Sequence, residues 1–450
     1  MSSRLLLPVC LAACSLCLAA CADPVLHGLD AGLDAGAGED AADAADGTAD
    51  ADEAADGGDG GARCEAIAVL ERGELTVDGE LREVVLGACE RHRYTFVAAY
   101  PARLELELEV DEPLGAARAL LLYPDAEAGE PPIAALSALE PGEPAVGPLA
   151  VPRSGELVIE LAAFEPERTG RYRLCLRCAE GCELECTRFP IVLVHGWTGW
   201  DEIGSYTYFY GVPDHLERRG YAIYVASLDP YNSVELRSGQ LAAQVEATLA
   251  DARARKVDLI AHSQGGLDSR RLISTLGFGD RISALVTVST PHRGTPLTDV
   301  ALGVLPGPGE EALAFLLEWL GATAVGSQSD AIASFESMTV QFVVEDFNPA
   351  NPDDDRVAYV SYAGRTCPLG ISCGDVCDVE IRWSYDLLWL LAGANDGVVP
   401  VDSAVWGDYR GEIPADHFDE IGQLLGVTGP NFDHQVFYLQ LARDLAAEGH

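Results

Sequence analysis

The chain has 450 residues, enough for two or three domains, and 48% of them are apolar, the share a globular protein with a sizeable core needs. Its 29 Lys+Arg stand against 72 Asp+Glu, a formal net charge of −43 with Lys256 as the only lysine, which argues against nucleic-acid binding and against a polybasic membrane patch. Thirteen cysteines point to an oxidising compartment rather than to an intracellular signalling role.

The N-terminus reads as an export signal, with Arg4 followed by an almost wholly apolar run from Leu5 to Ala20. It ends in Leu18-Ala19-Ala20-Cys21, which resembles the lipobox of bacterial lipoproteins and implies lipidation of Cys21. An ordinary signal peptide cut after a small residue is the other reading of residues 1–21. A spanning helix fits worse, because the stretch is short and acidic residues follow it. Residues 22–62 hold twelve Asp/Glu, no Lys or Arg and no aromatic residue. Such a segment cannot bury enough surface to offset its ordering entropy, so a disordered acidic linker is expected.

Residues 63–186 change character. Leu104 to Val110 and Glu156 to Leu161 alternate apolar and charged residues, the period of half-buried strands, and Pro/Gly-rich turns such as Glu140-Pro-Gly-Glu-Pro144 separate such runs. A small all-β sandwich is expected. Tyr94-Thr-Phe96 and Gly170-Arg-Tyr-Arg-Leu174 loosely resemble the bacterial prepeptidase C-terminal type of accessory domain. Cys175, Cys178, Cys182 and Cys186 have a spacing open to zinc, but in an exported chain they predict disulfides, with Cys64 and Cys89 as further partners.

From residue 187 to 450 the pattern is α/β. Pro190 to Val194 is the continuous apolar run of a buried parallel strand, Tyr221 to Val225 and Val257 to Ala261 are further strands, and Leu216–Gly220 and Leu236–Arg255 read as helices. The strand ending at Ala261 delivers His262-Ser263-Gln264-Gly265-Gly266 just before the helical pattern Leu267 to Ile273. This strand–Ser–helix order is a nucleophile elbow, with small neighbours where the turn is tight; Ala261 stands where glycine is usual. An unassisted serine is inert at neutral pH and needs a base, and the base needs a carboxylate. In such folds these follow as Ser, Asp/Glu, His. His292 comes too early, His450 is predicted to fray, and His434 beside Asp433 suits a capping or surface role. His417 is therefore the expected base, and Asp396 in the Asn395-Asp-Gly397 turn, at a loop tip, the expected acid. The residue after the nucleophile, Gln264, supplies one oxyanion N–H, and the loop after the first strand the other.

Pro190-Ile-Val-Leu-Val-His-Gly196, Ala261-His-Ser-Gln-Gly-Gly266, Ser289-Thr-Pro-His-Arg-Gly294, Asn395-Asp-Gly397 and His417-Phe-Asp-Glu-Ile-Gly-Gln-Leu-Leu-Gly426 occur in one order. In this the chain resembles the bacterial triacylglycerol lipases of the Pseudomonas/Burkholderia type, across about residues 190–450. The resemblance implies an α/β-hydrolase domain with a mostly parallel sheet, Ser263 as nucleophile, Asp396 as acid, His417 as base and Trp197 as the second oxyanion donor. The Trp197 side chain either walls an acyl pocket or is merely packed. The resemblance also implies a structural calcium, held two, six and ten residues beyond the histidine at Asp419, Gln423 and the Val427 carbonyl. Oxygen donors of this kind suit that cation. Asp386 is taken as its remaining aspartate, with Asp378 as the alternative; a helix cap is the other reading of Asp419.

Two departures stand out. No cysteine lies in Val399–Val405, where the family often has one; Cys367, Cys373 and Cys377 cluster instead and predict a local disulfide with one thiol left over. Ile381 to Leu391 is unusually aromatic, as core or as a substrate-facing surface. Glu311 to Gly321 is apolar nearly all round, which suits a lid or a buried helix equally. The resemblance further implies a dedicated foldase as a partner. The reading is a secreted or surface-anchored serine hydrolase of carboxylic esters, foremost long-chain triacylglycerols. A short-chain carboxylesterase, a polyester hydrolase or a non-catalytic adhesion lipoprotein are the alternatives.

Overall fold

The computed structural model describes residues 64–79, 82–197, 208–306, 308, 330–423 and 425–450. The expected signal, Cys21, the acidic linker and the expected lid at Glu311–Gly321 lie outside them.

The first part is all β. Strands β1 (Ala68–Glu74) to β9 (Gly170–Glu180) form two sheets, ordered β1-β3-β8-β5-β6 and β2-β9-β4-β7. All pairings are antiparallel except β1 with β3. Successive side chains on a strand point to opposite faces, so Leu104, Leu106 and Leu108 of β4 (Arg103–Val110) enter the core while Arg103 and Glu105 face water. They meet Tyr94 and Phe96 of β3 (Glu90–Ala98) and Leu157, Ile159 and Leu161 of β8 (Gly155–Ala163) in one apolar cluster between the sheets. The alternating sequence of β8 predicts a half-buried strand, but β8 is central and Glu156 and Glu160 are buried too. Arginines meet both: Arg91 and Arg93 bind Glu160, and Arg188 and Arg255 bind Glu156.

Six parallel strands form the second part in the order β11-β10-β12-β13-β14-β15: β10 (Ile191–Val194), β11 (Ile223–Val225), β12 (Val257–His262), β13 (Ile282–Val288), β14 (Ala358–Gly364) and β15 (Asp408–Ile413). Both faces are covered, which is why the central strands read as unbroken apolar runs. Ile191 and Leu193 pack on one face with α1 (Val212–Glu217), and Val192 and Val194 on the other with α2 (Val234–Asp251) and α3 (Gln264–Ile273).

Helix boundaries differ from the pattern. The helix expected over Leu216–Gly220 is α1, set earlier because Pro213 favours the first turn and Gly220, at φ 108°, ends the segment. α2 starts at its Ser233 cap and is over before Arg253, whose φ is 48°. The remaining helices used below are α4 (Pro296–Ala301), α5 (Ala331–Glu336), α6 (Arg382–Ala392) and α7 (His434–Ala447).

Among the described cysteines, Cys64–Cys89, Cys178–Cys182 and Cys367–Cys373 are disulfides, while Cys175, Cys186 and Cys377 remain thiols. The expectation that Cys175 and Cys186 are oxidised is thus not met; burial pushes the Cys186 thiol up to about 11, which keeps it protonated. No described helix is long and apolar enough to cross a membrane.

Candidate active site

β12 carries the chain to Ser263, which sits at φ 57°, a left-handed conformation costly for a residue with a side chain. The surroundings leave room only for glycine: a Cβ at Gly266 would collide with the Thr290 side chain, and one at Gly196 would sit 2.5 Å from Ser263 Cβ. His417 lies beyond the end of β15, and its Nε2 is 3.1 Å from Ser263 Oγ. Its Nδ1 is 2.7 Å from Asp396 Oδ2. Asp396 is wholly buried rather than raised on a loop tip, because its Oδ1 accepts the N–H groups of Val398 and Val399 and closes the Asn-Asp-Gly turn inward. His417 N–H in turn donates to the Asp396 carbonyl. Serine, imidazole and carboxylate therefore form one continuous hydrogen-bonded line.

Trp197 follows β10, and Gln264 is the first residue of α3, whose N–H has no carbonyl one turn earlier to meet. The Trp197 indole is buried against Phe335 at 5.2 Å between ring centroids and donates to Ser334 Oγ, which fits the packed reading. Arg237 of α2 holds the loop between these elements. Wholly buried, it donates to Asp268 on α3 and to the carbonyls of His195 and Asp229.

Residues 190–404 match the family described as the alpha/beta hydrolase fold. The triacylglycerol lipase of Vibrio cholerae is 32% identical over 288 residues, spanning 58% of this chain and 89% of that one. The chain belongs to the triacylglycerol lipase family. Its relative in Burkholderia plantarii, also a triacylglycerol lipase, is 29% identical over 301 residues, 56% of this chain and 83% of that one. Among solved structures, the mature lipase BlEst2 of Bacillus licheniformis is similar at 21% identity and a TM-score of 0.44, over 57% of this chain and 91% of that chain.

Beneath the histidine of this lipase-family site lies a group that the motifs contain but do not single out. Glu420, wholly buried, is 2.7 Å from His262 Nε2, accepts from Ser289 Oγ at 2.6 Å and comes within 3.8 Å of His417 Nδ1. His262 Nδ1 is 2.7 Å from Tyr208 Oη. Burial, then the Asp396 charge, pushes the Glu420 carboxyl well above its usual range. Burial likewise pushes His262 well below its own, so the pair is neutral, with a protonated Glu420 donating to His262.

A second acidic group flanks His417. Carboxylate oxygens of Asp375, Asp416 and Asp419 lie within 4.8 Å of one another. Asp416 accepts the N–H groups of Asp378, Phe418 and Asp419, and Asp419 that of Gly429. Neither oxygen of Asp375 has a hydrogen-bond partner, although the residue is wholly buried. Burial is the main cause that raises all three carboxyls, Asp419 to about 7. Three buried acids, one of them with both oxygens orphaned, fit a hard cation, and the donors are of the right chemistry.

Several expected site residues fall elsewhere. Asp386 is exposed on α6 and pairs with Arg382 at 3.2 Å, four residues back on one helix face, apart from the acidic group that flanks His417. Asp375, two residues past the Cys367–Cys373 disulfide, lies in the acidic group instead, and Asp378 donates its main-chain N–H to Asp416. Gln423 donates from Nε2 to the Tyr208 carbonyl, and the Val427 side chain is exposed. His434 is buried, with Nε2 2.8 Å from the Tyr210 carbonyl, while Asp433 does the capping. His450 is held rather than frayed: Nδ1 is 2.7 Å from Ser283 Oγ, and its carbonyl accepts from Arg188. α6 divides the two readings of its sequence, burying Tyr385 and Leu388 while Trp389 and Leu390 face solvent.

Proposed function

We propose that the chain is an exported serine hydrolase of carboxylic esters whose preferred substrates are long-chain triacylglycerols. The observation that carries this reading is the line Ser263 Oγ, His417 imidazole, Asp396 carboxylate at a strained turn. Asp396 fixes the tautomer in which Nδ1–H faces it and Nε2 accepts the serine proton. Ser263 then attacks the acyl carbonyl, the N–H groups of Trp197 and Gln264 stabilise the oxyanion, and His417 returns the proton to the leaving alcohol. Water, activated by the same imidazole, releases the acid from the acyl-enzyme. Triacylglycerol as the substrate class is supported by the names of the Vibrio and Burkholderia relatives.

Asp375, Asp416 and Asp419 are the residues to hold a structural calcium, with Gln423 and the Val427 carbonyl further along the same loop. The cation supplies the positive charge that lets these acids stay ionised side by side, which pins the segment bearing His417. Export and lipidation at Cys21 rest on the lipobox-like ending and agree with three disulfides. A folding chaperone dedicated to this lipase belongs to the same reading.

The test compares p-nitrophenyl butyrate, p-nitrophenyl palmitate and emulsified triolein, for the wild type and Ser263→Ala, with calcium present. The proposal expects faster turnover of palmitate and triolein and loss of all three activities in Ser263→Ala. Hydrolysis that survives this substitution overturns the mechanism; activity confined to butyrate keeps it and makes the enzyme a short-chain esterase.

A further inference from the structure

The two main-chain donors assigned to the oxyanion come from different elements, Trp197 from the loop after β10 and Gln264 from the start of α3. Stabilising a tetrahedral oxyanion requires donors set 2.7–3.1 Å from a point in space before the charge appears, so the spacing between the two must be fixed. Main-chain pairing within β10 does not fix it, since Trp197 lies beyond the end of that strand.

The side chains of these residues meet on a third. Trp197 Nε1 donates to Ser334 Oγ at 2.7 Å, Ser334 Oγ donates to Gln264 Oε1 at 2.8 Å, and Gln264 Nε2 donates to the Asn232 carbonyl at 2.9 Å. All of this is buried: Trp197 is 3% exposed, and Gln264 and Ser334 are 0% exposed. The direction of the chain is fully determined. An indole N–H only donates, so the serine oxygen accepts from it and the single hydroxyl hydrogen goes to the glutamine. The glutamine must then turn its NH2 to Asn232, because a carbonyl only accepts. α5, which carries Ser334, is itself anchored: Asp330 caps it at Ala333 N–H, Asp330 N–H donates to the Tyr231 carbonyl, and Ser337 Oγ accepts from Val234 N–H. Phe335 adds a ring packed edge-on against Trp197.

We propose that Ser334 is a positioning residue for oxyanion stabilisation: one hydroxyl, bonded to both side chains, sets the separation of the Trp197 and Gln264 amides. The inference rests on the reading of Ser263 as nucleophile and of these two amides as its oxyanion donors. A serine that merely satisfies a buried indole would contribute to stability alone.

The experiment uses the full chain with calcium and the soluble substrate p-nitrophenyl butyrate, and compares Ser334→Ala, Ser334→Thr and Trp197→Phe. It reads kcat, KM, melting temperature and the inhibition constant of an alkyl trifluoromethyl ketone, whose hemiketal with Ser263 places a charged oxygen between the donors. Ser334→Ala is expected to lower kcat about tenfold with KM nearly constant, a part of the loss that follows removal of a whole oxyanion donor. Affinity for the ketone is expected to fall by the same factor, and Ser334→Thr, which keeps the hydroxyl, to restore both. Trp197→Phe, which keeps a ring and loses the N–H, is expected to act in the same direction. Unchanged kcat and ketone affinity in Ser334→Ala overturn the proposal, whatever happens to the melting temperature. If that variant does not fold, a folded Trp197→Phe with wild-type kcat overturns it instead. Ser263→Ala is run alongside: activity surviving there overturns the underlying hydrolase reading, whereas its loss together with a silent Ser334→Ala removes only this inference.

Discussion

Two carboxyl groups converge on the His417 imidazole at unequal distances, Asp396 at 2.7 Å and Glu420 at 3.8 Å from the same nitrogen. Burial and the Asp396 charge hold the proton on Glu420 while both are present. Removing Asp396 removes that repulsion and frees Glu420 to take over the orienting role. Asp396→Ala is therefore expected to lose less than the roughly 10⁴-fold that loss of a triad carboxylate otherwise costs. Its activity should rise toward alkaline pH, since Glu420 stays buried and gives up its proton reluctantly. Adding Glu420→Gln to Asp396→Ala should remove what remains. The pH–rate profiles of the three proteins check this, and equal residual activity in the single and double variants would exclude the substitution of one acid for the other. The position of Glu420 was not legible in the sequence. Asp419 and Glu420 are consecutive, yet the single turn Asp419–Ile421 sends one toward the acidic trio and the other under the imidazole.

At the scale of elements, legibility follows how much of a segment's environment its own residues determine. Parallel strands buried on both faces are unbroken apolar runs, so β10 and β12, and the turn bearing Ser263, are readable without coordinates. The ligand loop is not. Asp375 lies two residues past the Cys367–Cys373 disulfide, and nothing in linear order distinguishes it from Asp378 or Asp386. Only the i,i+4 pairing of Arg382 with Asp386 on α6 would have argued Asp386 out of the site. The trio that results makes a prediction of definite sign. The Asp419 carboxyl stands near 7 in the folded chain, above its ordinary unfolded value, so the cation-free fold binds extra protons between those values. Its stability is therefore lost as pH rises through that window, while calcium, which needs ionised acids, binds better. The melting-temperature difference between calcium and chelator should be larger at pH 8 than at pH 5. At a hundredfold excess over the dissociation constant it corresponds to about 2.7 kcal/mol. A difference independent of pH, or none at all, would count against a cation at these residues.

At the scale of the whole described molecule, the seam between the sandwich and the α/β part is made by arginines, a notable use of scarce positive charge in a chain of net charge −43. Arg253 reaches Asp125 and Glu130 at 2.8 Å, and both it and Arg153 lie over the Tyr123 ring. The tightest point is Glu156 on β8. Its side chain is 4% exposed and receives Arg188 at 2.7 Å and Arg255 at 2.6 Å, while its N–H donates to the Arg188 carbonyl. None of this was readable beforehand, because the alternation that marks β8 as a strand says nothing about which glutamates face a neighbouring layer. Arg255 is more than half exposed, so its pairing is screened and adds little. Arg188 is mostly buried and also reaches Glu74, so loss of Glu156 leaves it half-compensated at the seam. Glu156→Ala is expected to cost about 2 kcal/mol and to uncouple the two parts. Calorimetry should then show one transition in the wild type and two in the variant, the α/β part melting at a calcium-dependent temperature and the sandwich not. A single, merely shifted transition would mean that the apolar contacts of the seam, not its ion pairs, make the fold cooperative.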